Sequence, residues 1–216
     1  MSRRDDLGQL TEAGAQMGAP LSEPQAQLLL DYLELLTKWN RVYNLTAVRA
    51  PAEMLVLHLL DSMSIVAPLR RWGAGNAKRL LDVGSGAGLP GAVIAALMPE
   101  MDVTCVDAVG KKVSFIRQVA GELGIKNLHA EHARVEELSA PRFDVLTARA
   151  FSSLLDLTTL TRRHVHASAV WAAMKAKRPK QAIAALPAEI DVFHVEQLTV
   201  PGLDAERCLV WMKVRV

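Results

Sequence analysis

Cysteine is scarce: two in 216 residues cannot build a disulfide framework, and neither stands at metal-ligand spacing from a partner. Cys105 and Cys208 each sit alone inside an apolar stretch and are expected to be buried, reduced core residues. No Cys/His pattern points to a metal. Excess charge is also missing, since a net +2 by itself implies no nucleic-acid partner. Long apolar runs are absent, and the stretch Met54 to Leu60 is interrupted by His58, far below a membrane span. The opening Met1 to Asp6 lacks the apolar region of a signal peptide. Repeats and low-complexity segments are lacking too. These absences lead to the expectation of a soluble cytoplasmic enzyme with no metal and no membrane partner. Hydrophobic residues, by contrast, make up 50% of the chain, enough for a full core in a protein of one domain's length. No long apolar surface stripe demands a partner, so a monomer is expected.

One further absence is local. Between Asp156 and Glu189 there is no acidic residue, while Arg162, Arg163, Lys175, Lys177, Arg178 and Lys180 all occur, with His164 and His166 among them. An acid-free stretch can bind polyphosphate. From charge alone, a solvated helix face and loop is an equally good reading.

The most informative segment is Leu80-Leu81-Asp82-Val83-Gly84-Ser85-Gly86-Ala87-Gly88-Leu89-Pro90-Gly91. A short apolar run meets a glycine turn, and Leu89, Val93 and Leu97 follow at helical period. This is a strand, a tight turn that bares backbone to a ligand, and a helix whose unpaired N–H groups are expected to face that ligand. Two fingerprints overlap in it. Gly86 to Gly91 is a G-x-G-x-x-G dinucleotide signature, with Asp107 near the spacing expected of a ribose ligand. Asp82 to Gly88 is the D-x-G-x-G-x-G loop of S-adenosylmethionine enzymes. Asp82 favours the second, because a carboxylate there repels a pyrophosphate but attracts the ammonium of a methionine moiety.

Helical signals dominate the N-terminal third. Leu7, Leu10, Gly14 and Met17 mark a weak first helix. Ser22 and Gln25 form a capping pair ahead of a stronger one, with Pro24 in its first turn and a stripe of Leu29, Tyr32 or Leu33, Leu36 and Trp39. That helix ends within Asn40 to Thr46, and Pro51 starts another through Leu55 and Leu59. From Lys78 strands are expected near 79–83, 101–106, 127–131, 143–148, 168–174, 190–198 and 207–215. Helices are expected near 89–98, 110–123, 153–165 and 178–186. Such alternation means a parallel sheet covered on both faces. Too little chain separates the last two strands for a crossover, so they should pair antiparallel. The expectation is an α/β, Rossmann-like class I methyltransferase sheet of seven strands with an antiparallel last strand. Residues 1–77 form an N-terminal helical extension and 78–216 the methyltransferase domain, in one compact unit.

Ligands of such sheets lie outside the carboxyl ends of the strands. At the second strand's end, Asp107 could accept two ribose hydroxyls or cap the helix opening at Gly110. After the third, Arg134-Val135-Glu136-Glu137 is either an adenine contact or a solvated charged turn. At the fourth, Arg149 either shapes the site beside the transferred group or makes a surface ion pair. No Asn/Asp-Pro-Pro-aromatic tetrad follows strand four and no Pro-Cys pair occurs, which disfavours methylation of exocyclic amines and pyrimidine carbons. Ring nitrogens, ribose oxygens and non-nucleic substrates stay open. A purine N7 needs only alignment, since its lone pair carries no proton.

Three groups of residues then carry a resemblance. Lys38-Trp39-Asn40-Arg41-Val42-Tyr43-Asn44-Leu45-Thr46, His58-Leu59-Leu60-Asp61-Ser62 and Asp82 to Gly91 resemble the bacterial 16S ribosomal RNA guanine-N7 methyltransferase family RsmG, also called GidB. Asp107 to Lys112, Arg134-Val135-Glu136 and Arg149-Ala150-Phe151-Ser152 continue it over nearly the whole chain. The resemblance implies S-adenosylmethionine as methyl donor, S-adenosylhomocysteine as product, and a guanine of 16S ribosomal RNA or of the small-subunit particle as acceptor. Gly84, Leu89, Val135, Glu136 and Arg149 match the family's cofactor-binding positions. Gly86 belongs to the same loop, and Asp107 fits the ribose role of the general fold. Asn40, Asn44, His58, Asp61 and Ser62 match a family motif, with Trp39 and Leu45 read as core. RNA contact is expected from Lys175, Lys177 and Arg178, although Ala176 stands where the family usually has glycine. The competing readings are a methyltransferase for a small molecule or protein, an NAD-dependent oxidoreductase, and a non-catalytic RNA-binding module.

Overall fold

The computed structural model describes residues 2–73 and 78–215. Among these, seven strands form one sheet: β1 (Arg79–Val83), β2 (Asp102–Asp107), β3 (Leu128–His132), β4 (Phe143–Arg149), β5 (Val165–Lys175), β6 (Ile190–Leu198) and β7 (Arg207–Val214). Their order is β3-β2-β1-β4-β5-β7-β6. The first five pair in parallel, and β7 inserts antiparallel between β5 and β6. The β1 side chains alternate between two cores, as a strand covered on both faces requires. Leu80 joins the core under α2 (Glu23–Tyr43), α6 (Gly91–Leu97) and α7 (Gly110–Glu122), whereas Leu81 and Val83 join the core under α8 (Leu154–Thr161).

Capping boxes start both N-terminal helices. Ser2 and Asp5 close one on α1 (Arg3–Gln16), and Ser22 and Gln25 close the other on α2. The expected stripe of α2 is buried at Leu29, Tyr32, Leu33 and Leu36, with Trp39 packed on its edge. Asn44 ends the helix in the left-handed conformation. After it come α3 (Pro51–Met54), a π-helical turn (Leu55–Leu60), α4 (Asp61–Met63) and α5 (Val66–Gly73). The stretch Pro51–Trp72 is long and apolar enough to cross a membrane by length and composition, yet 78% of its most apolar window is buried inside the fold. Leu59, Leu60 and Met63 fill the same core as Val93 and Phe115. The boundary expected at residues 77 and 78 borders residues 74–77, which lie outside the described ones.

Three expected elements differ. The helix expected from residue 89 begins at Gly91, because the N–H groups of Gly88 and Leu89 both turn back to the Ser85 carbonyl. The helix expected over 153–165 ends at Thr161 in a short 3-10 turn, and Val165 already belongs to β5. The last helix shrinks to α9 (Lys180–Ala184), since proline at 179 disfavours helical geometry at residue 178.

Candidate active site

The glycine loop is folded by its own backbone. N–H groups of Gly84 and Ser85 donate to the Val106 carbonyl (2.9 and 3.2 Å), tying the end of β1 to the end of β2. Gly84 sits at φ +65°, a conformation that costs a side-chain-bearing residue energy. Its bare Cα faces the Phe151 ring, which a Cβ there would approach to 3.5 Å. At the far end, a Cβ on Gly91 would collide with Cys105 Sγ and lie 2.8 Å from Asp82 Oδ2. Gly91 therefore lets α6 lie against β1 and β2.

This geometry corrects two expectations. The first N–H groups of α6 do not face a ligand: Gly91 donates to Asp82 Oδ2 (2.8 Å) and Ala92 to the Gly88 carbonyl. Asp82 is fully buried and holds the start of that helix, so it is not an open anion in a cofactor cavity. A pyrophosphate would find the Gly91 and Ala92 N–H groups already engaged, which disfavours the dinucleotide register. Burial raises the Asp82 pKa to about 7, against the opposing pull of the Gly91 N–H and Arg149. Its Oδ1 has no hydrogen-bond partner among the described residues.

Two cavities open at the carboxyl ends of the parallel strands and meet at Phe151. The smaller, about 170 Å³, is lined by Gly84, Asp107, Val135 and Glu136. Asp107 both caps and lines. Its Oδ1 accepts from the Val109 N–H (2.8 Å), its Oδ2 from the Gly86 N–H (2.9 Å), and Lys112 Nζ lies 3.6 Å away. The Glu136 carboxylate is held below its usual range by its own backbone N–H and by Arg134, whose Nε lies 2.9 Å away. Gly86 acts here by holding Asp107. Leu89 is buried and lines neither cavity.

The larger cavity, about 460 Å³, is walled by Arg149, Asp61, His58, Lys175 and Arg207. Arg149 Nη1 donates to the Leu57 carbonyl (2.8 Å) and to Asp61 Oδ2 (3.0 Å), while Arg207 Nε donates to Asp61 Oδ1 (2.7 Å). One carboxylate thus holds two guanidiniums at the mouth of β4. This ion pair is mostly buried rather than the surface pair that is one reading of Arg149, and it sets the Arg149 side chain in the wall of the cavity. Lys175 Nζ turns inward to the Phe151 carbonyl (3.0 Å), and burial lowers its pKa.

A family model described as rRNA small subunit methyltransferase G, GidB, matches residues 25–210. The chain belongs to the GidB family. A protein of Acidovorax ebreus named ribosomal RNA small subunit methyltransferase G is 58% identical over 212 residues, covering 94% of this chain and 93% of that protein. One of the same name from Leptothrix cholodnii is 59% identical over 204 residues, covering 94% of each. Solved methyltransferases share the fold at low identity. TrmN of Thermus thermophilus aligns with a TM-score of 0.57 at 17% identity, covering 100% of this chain and 80% of that one. The 1,6-didemethyltoxoflavin-N1-methyltransferase of Burkholderia thailandensis gives 0.60 at 15%, covering 92% and 93%.

In this GidB chain the N-terminal motif is scaffolding for the second cavity. Asn40 Oδ1 accepts from the Thr46 N–H (2.9 Å) and its Nδ2 donates to the Val48 carbonyl (3.3 Å), folding residues 44–48 over the helix end. Thr46 Oγ1 then meets His58 Nε2 at 3.0 Å. Burial, reinforced by Arg149, lowers the His58 pKa from 6.5 to about 4. The folded state therefore resists protonation of this ring. Its contribution is complete above about pH 6.5 and is lost as pH falls through 4, by up to about 3 kcal/mol. Denaturant midpoints should fall over that window in the natural protein and fall less in His58→Gln; parallel curves would reject the assignment.

Tyr32 does more than fill the core stripe of α2: its hydroxyl donates to the Ala87 carbonyl of the glycine loop (2.9 Å), and both groups are buried. Tyr32→Phe strands that carbonyl at a cost of about 1–3 kcal/mol. We expect weaker S-adenosylmethionine binding by calorimetry beside the loss of stability. An unchanged affinity would show that the loop does not depend on this clamp.

The acid-free stretch divides. β5 is an eleven-residue strand, so its two ends lie roughly 33 Å apart. Arg163 donates to the Leu138 carbonyl, His164 is buried against the Val135 carbonyl behind the smaller cavity and His166 pairs with Asp144, so these groups are engaged at the start of β5, away from the larger cavity. Lys177, Arg178 and Lys180 are exposed at the cavity end. A single phosphate-binding stretch over 162–180 is therefore ruled out by strand length. Arg207 was missed because only the sheet order brings it to Asp61, 146 residues away.

Proposed function

We propose that this GidB member transfers the methyl group of S-adenosylmethionine to N7 of a guanine in 16S ribosomal RNA, releasing S-adenosylhomocysteine. The observation that carries the reading, beside family membership, is the pair of cavities meeting at Phe151. One is shaped for a nucleoside and the other is open for an incoming base. Asp107, with lone pairs beyond its two backbone bonds, would take the ribose hydroxyls. The Val135–Glu136 turn would meet the adenine edge, and Gly84 leaves its Cα bare for close approach. Asp82 supports the loop from beneath through the Gly91 N–H rather than meeting the cofactor. When bound, S-adenosylmethionine supplies an electrophilic methyl on a positively charged sulfur.

The chain's own residues then have a modest task. Guanine N7 presents an in-plane lone pair without a proton, so no general base is required, and His58 is held neutral by burial. Alignment of acceptor and methyl can supply several kcal/mol, with a ceiling of about 7–11. Phe151 forms the wall common to both cavities. Arg149, fixed by Asp61 and Leu57, shapes the acceptor side. Lys177 and Arg178 would contact phosphates, and Lys175 supports the wall through the Phe151 carbonyl. We read the working unit as a cytoplasmic monomer that uses no metal.

Transfer of labelled methyl from S-adenosylmethionine into 16S ribosomal RNA, naked and in small subunits, tests this directly. Borohydride and aniline scission should map the label to N7 of a guanine. Label that enters a cell extract in a ribonuclease-resistant form, with none in the RNA, would overturn it.

A further inference from the structure

Tyr43 is one of two large aromatic side chains prominently exposed among the described residues, at 44%, and Val42 beside it is 71% exposed. The other, Phe193, is covered by Lys213 Nζ at 5.4 Å from its ring. Tyr43 is braced from behind. Its ring centroid lies 5.0 Å from that of Trp39, which packs edge-on against Phe115 at 5.5 Å. Phe115 is fully buried, so the exposed ring is anchored in the core through two aromatic contacts.

The surroundings of this ring are cationic. No acidic residue occurs between Glu34 and Glu53, and Lys38, Arg41 and Arg49 are all exposed and unpaired with any carboxylate among the described residues. Arg49 Nη2 is steered by Asn44 Oδ1 at 2.7 Å, next to Tyr43. The surface also runs into the larger cavity. Three residues beyond Tyr43, Thr46 touches His58, and Val48 lines that cavity.

From this juxtaposition we propose that the exposed end of α2 is a binding platform for single-stranded RNA, on which Tyr43 stacks an unpaired base near the target guanine. Arg41 and Arg49 grip the adjoining phosphates. The platform rests on the RNA methyltransferase reading above and adds a second site of contact outside the two cavities. A ring face is what an unpaired base recognises, and stacking on it is indifferent to sequence. The preformed brace keeps the entropic cost of ordering the ring small.

Binding of a short fluorescent single-stranded RNA, with steady-state methylation of 16S ribosomal RNA, distinguishes the outcomes. Tyr43→Ala should weaken RNA binding and raise KM for RNA by about 5- to 150-fold, leaving S-adenosylmethionine affinity unchanged and lowering thermal stability only slightly through the lost Trp39 contact. Tyr43→Phe should behave as the natural protein, and Tyr43→Leu should follow alanine, because apolar area without a ring does not stack. Arg41→Gln and Arg49→Gln should each lower the salt slope of binding by about 0.7. An unchanged KM in Tyr43→Ala, or full affinity in Tyr43→Leu, overturns the platform while leaving the activity standing. Normal binding of naked RNA with impaired action on assembled small subunits would overturn it in favour of a ribosomal protein partner. No methyl transfer to RNA by the natural protein would instead overturn the functional reading beneath it.

Discussion

Gly84→Asp should lose S-adenosylmethionine binding by about a hundredfold or more in calorimetry, with the fold intact. Aspartate is the informative replacement because it tolerates positive φ better than most residues, so the backbone at φ +65° is retained at small cost. What changes is the cavity. Its volume of about 170 Å³ is partly filled, and a second carboxylate enters beside Asp107, whose oxygens would serve the ribose. Gly84→Ala separates the two effects. A methyl 3.5 Å from the Phe151 ring is ordinary contact, so alanine should show only the backbone strain of about 1–2 kcal/mol. Undiminished binding in Gly84→Asp, with unchanged circular dichroism, would place the cofactor elsewhere.

Asp61→Ala is expected to be the most damaging change on the acceptor side. Asp61 is 5% exposed and accepts from both Arg149 and Arg207, whose side chains are each 21% exposed. Removing the carboxylate leaves two cations facing one another in a mostly enclosed place. Breaking such a pair costs about 3–5 kcal/mol when fully buried, and the partial exposure of both arginines points to the low end, about 3 kcal/mol. The loss should appear in denaturant midpoints and, more steeply, in the rate of methyl transfer, as Arg149 leaves its place beside Phe151. Asp61→Asn keeps an acceptor for one arginine and should fall between. A variant with full activity would show that the two guanidiniums need no bridge.

Much of this architecture is legible in the residues. Leu80, Leu81 and Val83 announce a strand covered on both faces, Ser22 with Gln25 announces the start of α2, and the short link before Arg207 forces an antiparallel strand. The seven strands appear within a few residues of their expected places. The loop glycines are equally visible, but what surrounds them is not. Nothing local tells that the Asp82 carboxylate turns beneath the loop to meet Gly91, because that depends on how closely α6 approaches the sheet. The Arg149–Asp61–Arg207 bridge joins three distant segments, and only the strand order puts Arg207 at the cavity. Charge patterning overstates the length of the basic stretch for a plain geometric reason. Residues 162–166 and 175–180 are near in sequence, but an extended strand separates them by its whole length.

The π-helical turn Leu55–Leu60 has a genetic consequence. A π turn closes its hydrogen bonds over five residues rather than four, so it accommodates one residue that a regular helix has no place for. Here the turn carries the Leu57 carbonyl that accepts from Arg149, just ahead of the Asp61 carboxylate. Loss of a single codon in this stretch would restore a regular helix of equally apolar composition. The bulge would close locally, and Asp61 would keep nearly its present phase beside both arginines. One in-frame deletion should therefore be tolerated in this turn, whereas the same loss from a regular helix turns everything beyond it by about 100°.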